Sequence, residues 1–325
     1  MKKYTITPVN DDLLWDDFVE SSPQGTVFSL SEYLHLAVDN YKRFWVKKGS
    51  AIKGGISVVL TPDGTECVLD DLVIHNGLMF AQDESIKPVR ARQERFEITE
   101  YVISWLTKQY KKVELALSPQ FEDLRPFLWH NYHSTETRDR FGIDLRYTSY
   151  LDISSLKAFE NEEESIAFKS LITLRQRNIR QGRKDNSGYI IEKTGEVFVD
   201  WYLELMNKQG VKVPQDKSCR MVRLINGLIQ KGMAKMLVCL NGKGQKIYST
   251  VFCWDRKRAY YLFGASIPNV SESYMGTMAF WETFKLLAEQ GYDCVDMEGV
   301  NSPDRGRFKL GFGGSLESYY EVVKI

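Results

Sequence analysis

The sequence predicts a mixed α/β protein built from two tandem domains, and three observations carry that expectation. A helix followed by a strand occurs twice with matching flanks. Each half holds a pair of strands joined by turn residues. The chain, at 325 residues, exceeds the size at which a single core keeps growing.

The second-half copy is the clearer one. In GTMAFWETFKLLAEQGYDCVDMEGV the residues Met278, Trp281, Phe284 and Leu287 recur at helical spacing, Gly291 supplies the stop, and a strand begins at Asp293. In the first half, FEITEYVISWLTKQYKKVELALSP places Ile98, Val102 and Trp105 on one stripe and then a strand from Val113 to Leu117. The parallel continues past the strands, where RPFLWHNYHSTE resembles GRFKLGFGGSLE, with Phe127 standing to Phe308 nearly as Val113 stands to Val295. Such self-similarity indicates an internal duplication. It also sets Leu128 opposite Lys309, so the lysine belongs to the second copy alone. Chemistry is therefore expected in the second domain, with the first lending a wall or a substrate pocket. The strand pairs are FWVKKGSAIKGGISVVL and AKMLVCLNGKGQKIYSTVFCW, the latter with Asn241-Gly242 as its turn signal. A boundary near Tyr147 to Asp152 gives domains 1–148 and 149–325.

Composition excludes several broad classes. Lys and Arg number 43, as do Asp and Glu, which argues against a generic nucleic-acid coat while leaving room for a local basic patch. The opening MKKYTITPVNDDLLWDDF turns polar and acidic where a secretion signal needs an apolar stretch. Runs such as MLVCL fall far short of the roughly 20 residues that span a bilayer. The five cysteines form no CxxC pair and suit reduced thiols. A cytoplasmic protein without a membrane span is the expectation. Gly242-Lys243-Gly244 lies between strands and reads as a turn rather than a dinucleotide loop, and no GxSxG, Walker A or HExxH occurs. His130 and His133 share a metal-pair spacing, but no carboxylate is arranged to complete a site, so no metal is expected. Asn269-Val270-Ser271 matches a glycosylation triplet, idle without secretion.

Three groups of side chains bear on chemistry. In AFKSLITLRQRNIRQGRKDNSG a helix turning about 100° per residue gathers Arg177, Arg180, Arg183 and Lys184 on one face and Phe168, Ile172 and Ile179 on the other. That face is either simply solvated or a surface for a polyanion. Arg175 projects among the apolar positions, where a guanidinium needs a carboxylate or phosphate to offset its desolvation; a structural ion pair and a substrate anion both meet that need. On CVDMEGV the strand period of two puts Asp296 and Glu298 on one face. Paired carboxylates at a strand end suit removal of a proton from an ammonium, and salt bridges to Arg305 or Arg307 would also account for them. Lys309, in FKLGFGG, is either a fixed ammonium facing the oxygen of a tetrahedral intermediate or a solvated side chain after a turn.

Taken in order, TSYLDIS, LRQRNIRQGRKDNSGYIIE, YYLFGAS, GTMAFWETFKLLAEQGYDCVDMEGVNS and FKLGFGG resemble the second domain of the FemABX-like peptidyltransferases, members of the GNAT acyltransferase superfamily. WDDFVESSPQGTVFSLSEYL resembles the start of that family's first domain. The resemblance spans nearly the whole chain. It implies two tandem GNAT-like (acyl-CoA N-acyltransferase) domains and transfer of an activated acyl or aminoacyl group to an amine. The family's lysine after Phe matches Lys309 behind Phe308, where it is implicated in stabilising the acyl-transfer transition state. In cell-wall members the donor is an aminoacyl-tRNA and the acceptor a muropeptide precursor; related members are thought to use acyl-CoA.

The departures from that pattern shape the expectation. Muropeptide-binding members carry a lysine where this chain places Asp39, and an Asp-Pro where it has Ser118-Pro119. The expected acceptor is therefore another amine-bearing sugar or peptide of a cell-envelope or polysaccharide precursor. The pyrophosphate loop of CoA-dependent GNAT proteins, Q/RxxGxG/A, is reduced in SYMGTMA to Gly276, the expected cofactor contact. A long helical arm of some tRNA-using relatives has no room between FVDWYLELM and KMLVCL. The resulting expectation is an N-acyltransferase with acyl-CoA as co-substrate and nothing permanently bound. Lys309 would face the oxyanion, Asp296 or Glu298 would take the proton, and Arg175 with Tyr260 or Tyr261 would orient an anionic or sugar substrate. Aminoacyl-tRNA held on the Arg177, Arg180 and Lys184 face is the alternative donor, as in a peptidyltransferase of peptidoglycan synthesis. A binding module on the same fold, without chemistry, is the other class.

Overall fold

A computed structural model describes residues 3–83, 85–157, 161–267, 270 and 272–325. Asn269 and Ser271 of the glycosylation triplet lie outside the described residues. The chain divides into two compact units, Met1–Arg146 with Ser318–Ile325, and Tyr147–Glu317. The expected division at 148/149 differs from this at Tyr147 and Thr148, which belong to the second unit, and in the last eight residues, where the end of the C-terminal strand pairs in the first unit.

The first unit runs β1 (Thr5–Pro8), α1 (Asp12–Ser21), α2 (Ser31–Ala37), β2 (Tyr41–Lys48), β3 (Ala51–Val59), β4 (Gly77–Phe80), α3 (Pro88–Gln109), β5 (Val113–Ala116) and α4 (Arg125–Trp129), and the strand β6 (Gly142–Asp152) starts in it. Strands β1 to β4 form an antiparallel sheet in sequence order. Helix α3 buries Ile98, Val102, Ile103 and Leu106 in a core with Phe44, Val46, Leu78 and Phe80. Trp105 of the predicted stripe is half-buried at the edge of that core, its ring 4.8 Å from Phe44.

The second unit continues with α5 (Ile166–Ser170), α6 (Thr173–Lys184), β7 (Gly188–Glu192), α7 (Glu196–Lys208), α8 (Gln215–Gln230), β8 (Ala234–Leu240), β9 (Lys246–Trp254), β10 (Ala259–Ser266), α9 (Met275–Glu289), β11 (Cys294–Asp296) and α10 (Pro303–Leu310). Strand β12 (Ser315–Lys324) starts there, and its end pairs antiparallel with β5 through Glu321–Ala116 to Lys324–Val113. The sheet of this unit has the order β6-β11-β10-β9-β8-β7, antiparallel except for the β10–β11 pair. Helix α9 buries Met278, Trp281, Phe284 and Leu287 as its spacing predicts, against Leu237, Phe252, Val295 and Phe312. Gly291 closes it at a φ of 102°, which favours glycine. The predicted β8–β9 hairpin forms, with Asn241 rather than a two-residue turn in charge of it: its Oδ1 accepts from Lys243 N and Gln245 N, both at 3.0 Å. The segment between FVDWYLELM and KMLVCL is filled by α8. Among the described residues, no helix is long and apolar enough to cross a membrane.

Candidate active site

Parallel strands β10 and β11 pair through only Ala259–Val295 and Tyr260–Asp296. Beyond that point β10 shifts register between Tyr261 and Phe263 and runs on along β9. The other chain leaves the sheet, with Glu298 held at a φ of 58°, a conformation costing a non-glycine residue about 1–3 kcal/mol. The two strands therefore part, and Lys309 bridges the opening. Its Nζ lies 4.8 Å from the Tyr261 ring centroid on one side and donates to Gly299 O at 3.1 Å on the other.

Lys309 is not the solvated side chain of a turn. FKLGFGG opens inside α10, which Pro303 starts, and the lysine is 8% exposed. Asp296 and Glu298 are buried with it, at 1% and 5%. Asp296 is fastened: its Oδ1 accepts from Glu298 N at 2.9 Å and from the Thr148 hydroxyl. Glu298 is not; neither of its carboxylate oxygens has a hydrogen-bond partner among the described residues. The expected salt bridges to Arg305 and Arg307 are absent among those residues. Arg305 instead reaches Gln209 Oε1 at 3.4 Å and Met206 Sδ at 3.7 Å. The cations acting on the carboxylates are Lys309 and Arg258, the latter 4.5 Å over the Tyr150 ring.

Burial governs the protonation of all three groups, because a charge is poorly solvated there. It raises Asp296 above its ordinary range, against the Thr148 and Glu298 hydrogen bonds. It raises Glu298 well above, helped by the Asp296 charge and opposed by Lys309. It brings Lys309 down to about 8, although Glu298 and Asp296 both favour the ammonium. The site thus pairs a weakened acid, Glu298, with an ammonium that loses its proton more readily than an exposed lysine.

Arg175 on α6 is 8% exposed, as its place among apolar positions predicts. The ion pair open to it from sequence is not made: among the described residues it has no carboxylate partner. Its Nη1 donates to Thr277 Oγ1 at 3.0 Å and its Nη2 to Phe308 O at 3.3 Å, while Nε has no acceptor. The guanidinium stacks 4.1 Å over the Phe308 ring and 5.5 Å from that of Phe312, a cation–π arrangement that substitutes for an anion. Arg175 thereby grips the peptide carbonyl directly before Lys309.

Phe308 also packs on Phe280, ring centroids 5.2 Å apart, and Gly276 is the seat beneath it. A Cβ at Gly276 would sit 3.3 Å from two Phe308 ring atoms and 3.4 Å from Tyr248. This glycine, expected to contact a cofactor, is buried under two aromatic rings, and packing accounts for it. The adjacent tyrosines part company. Tyr260 is wholly buried with its hydroxyl on Asp255 Oδ2 at 2.5 Å, remote from the role of orienting substrate; Tyr261 lies under Lys309. Tyr248 and Gly264 belong to the site as well, since a Cβ at Gly264 would be 2.6 Å from the Tyr261 hydroxyl and 3.0 Å from that of Tyr248. Sequence reasoning passed over both, although a lone glycine inside a strand signals close approach.

The basic face of α6 is largely neutralised. Arg180 holds Glu163 through two hydrogen bonds, 2.9 and 2.6 Å. Arg183 holds Glu162 through two more, 2.8 and 2.7 Å, and meets Glu282 at 2.5 Å. Arg177 and Lys184 remain exposed. Glu162 and Glu163 come from the 3₁₀ turn Glu162–Glu164 and Glu282 from α9, pairings with α6 that no helical periodicity could show.

No protein-family model matches the sequence, and no curated protein matches it significantly. Solved structures do. Over 97% of this chain and 96% of the other, the fold superposes on FemX with a TM-score of 0.63 at 12% identity. A tandem GNAT protein from the clavulanic acid biosynthesis pathway gives 0.53 at 9% identity, over 98% and 97% of the two chains. The chain has the tandem GNAT, FemX-like fold. L-PGS from Bacillus licheniformis shares it, with a TM-score of 0.51 at 12% identity over 97% of this chain and 92% of that one. In the GNAT fold of the second unit, the opening bridged by Lys309 lies where the central parallel strand pair separates.

Proposed function

We propose that the protein is an N-acyltransferase that joins an activated acyl group to an amine on a sugar or peptide of a cell-envelope or polysaccharide precursor. The observation that carries this reading is the buried Lys309 beside a Glu298 whose oxygens are unfilled, at the parting of β10 and β11. In the reaction, the acceptor amine attacks the acyl carbonyl carbon. Glu298 takes the amine proton, a task suited to a carboxylate of raised pKa. The electron pair displaced from the carbonyl forms an oxyanion stabilised by the Lys309 ammonium, and its collapse breaks the bond to the leaving group. Asp296 holds Glu298 in place through the Glu298 backbone amide, and Arg175 holds the carbonyl of Phe308 next to Lys309.

Acyl-CoA is the donor this reading favours. A polyanionic aminoacyl-tRNA would need the α6 face, and Glu163 and Glu162 already occupy Arg180 and Arg183. Incubation with acetyl-CoA and an amino sugar, followed by mass spectrometry of the product, tests both halves. Lys309→Ala should lower turnover by about 10²–10³, the loss typical of one oxyanion contact, with an unchanged circular dichroism spectrum. Wild-type turnover in that variant removes Lys309 from the mechanism. Salt-sensitive retention of aminoacyl-tRNA, without any melting shift by acyl-CoA at millimolar concentration, reverses the choice of donor.

A further inference from the structure

Arg305 has no part in the reaction above, yet it stands beside Lys309. One turn apart on α10, the two side chains leave from the same face of the helix. The Arg305 charge opposes the Lys309 ammonium, and like charges at this spacing weaken a helix. Among the described residues Arg305 is in no ion pair. Its Nη2 makes the long contacts to Gln209 and Met206 given above, and its Nε and Nη1 have no acceptor there. The acids of the neighbourhood are engaged elsewhere. Asp296 is tied to Thr148 and to the Glu298 amide, Glu298 answers to Lys309 and Arg258, and Glu204 of α7 pairs with Lys208 at 3.0 Å. Asp304 is exposed and, as the adjacent helical residue, does not face Arg305.

The other polar groups around this guanidinium are hydroxyls. Tyr248 on β9 and Tyr261 on β10 bring theirs to Gly264, where a Cβ would stand 3.0 and 2.6 Å from them. Neither hydroxyl has a hydrogen-bond partner among the described residues. The charge of Arg305 acts on both, opposing the upward shift that burial gives them. Tyr202 of α7, which also acts on Tyr261, packs against Phe263 with ring centroids 6.3 Å apart, and these half-buried rings supply an apolar wall. A guanidinium and two hydroxyls thus converge beside the reacting lysine without an anion among them.

We infer that the acceptor amine belongs to a molecule that also carries a carboxylate, held by Arg305 with Tyr248 and Tyr261 while the amine faces Glu298 and Lys309. This rests on the acyl-transfer reading above and names its acceptor class, an amino acid or an amino-uronic sugar. A planar guanidinium takes a carboxylate through two parallel hydrogen bonds, and one positive charge meets one negative charge. The spacing of one helical turn, about 5.4 Å, suits the span from a reacting nitrogen to a carboxylate on the same small molecule.

Isothermal titration of the full chain with two matched pairs tests this: L-lysine beside cadaverine, and glucosaminuronic acid beside glucosamine. No acyl donor is present, so binding is read apart from chemistry. In at least one pair the acid should bind about tenfold or more tightly than its mate, as a charged hydrogen-bonded pair allows, and the pair that responds tells amino acid from sugar acid. Arg305→Gln should bring that acid to the affinity of its mate and leave the mate unchanged. Arg305→Lys, which keeps the charge without the fork, should restore part of the difference, and Tyr248→Phe should weaken the acid about threefold. With acetyl-CoA added, Arg305→Gln should raise KM for the acid by about tenfold or more and change kcat by less than about threefold. Equal binding of acid and mate in both pairs, a preference that survives Arg305→Gln, or an effect of that variant confined to acetyl-CoA overturns the assignment. Arg305-dependent binding of an acid without acyl transfer to any of these amines sustains it and refutes the acyltransferase reading instead; transfer to cadaverine and glucosamine as readily as to the acids does the reverse.

Discussion

The two copies of helix, strand and short helix, α3–β5–α4 and α9–β11–α10, share a backbone plan and differ in charge. After β5 the chain enters α4, where Phe127 is buried among Phe121 and Phe141 while Leu128 and Trp129 are about half exposed. After β11 it enters α10, where Phe308 lies beneath Arg175 and Lys309 is buried. Matching β5 to β11 at Val113 and Val295 sets Glu114 against Asp296 and Ala116 against Glu298. Glu114 pairs with Lys112 at 2.7 Å, an ordinary surface ion pair worth little. The framework is common to both copies; what sets the second apart is one ammonium and two carboxylates buried together. Such burial has a stability cost, since desolvation of an ion can exceed the attraction it gains, and a fold retains it most readily where chemistry needs it.

The strongest way to break the comparison is to give the second copy the residues of the first. Glu298→Ala with Lys309→Leu should abolish turnover, by at least about 10³-fold, yet leave the fold intact and raise its stability by about 1–4 kcal/mol, as replacement of buried ion pairs often does. A chemical denaturation curve beside an activity assay reads both; retained turnover, or a large destabilisation, would refute the view that these charges serve chemistry at the expense of stability.

The pH profile sharpens the same point. Glu298 must be deprotonated to accept a proton, so activity should rise as pH climbs through its raised pKa, above the usual carboxylate range. Lys309 must be protonated to hold the oxyanion, so activity should fall as pH passes about 8. Removing Glu298 takes away a charge that favours the ammonium, so in Glu298→Gln any residual activity should lose its acid limb and decline at lower pH than in the wild type. An alkaline limb near 10, the range of an exposed lysine, would show that Lys309 is not the group being titrated.

A smaller effect should come from Gly264→Ala. Its new Cβ would stand 2.6 Å from the Tyr261 hydroxyl, so the ring under Lys309 must shift. A stability loss of about 1–3 kcal/mol, the usual cost of overpacking, and a fall in kcat larger than any rise in KM are expected in steady-state assays. The smallest is Leu128→Lys in the first copy. Because that position is 53% exposed, the lysine should titrate as a solvated one, change stability by no more than about 0.5 kcal/mol and restore nothing to a Lys309→Ala background; rescue would mean that the copies are chemically interchangeable.

Local pattern was legible in the residues. The 3.6 period of Met278, Trp281, Phe284 and Leu287, the stop at Gly291, the strands that follow and the turn at Asn241 all appear where spacing and turn chemistry put them. So do the burial of Arg175 and the presence of a lysine in one copy alone. Each is fixed by residues within a few turns of one another, where periodicity and backbone sterics act.

What the sequence by itself determined, then, was the order of elements, the α/β class and the few polar residues worth suspecting. Only tertiary structure decided what surrounds them: Glu162 and Glu163 neutralising α6, Thr277 and Phe308 standing in for an anion at Arg175, the end of β12 joining β5, and Lys309 leaving solvent to meet Glu298. The physical reason is range. A hydrophobic stripe is written in neighbouring residues, whereas the solvation of a charge depends on every element packed around it, and those elements are distant in the chain.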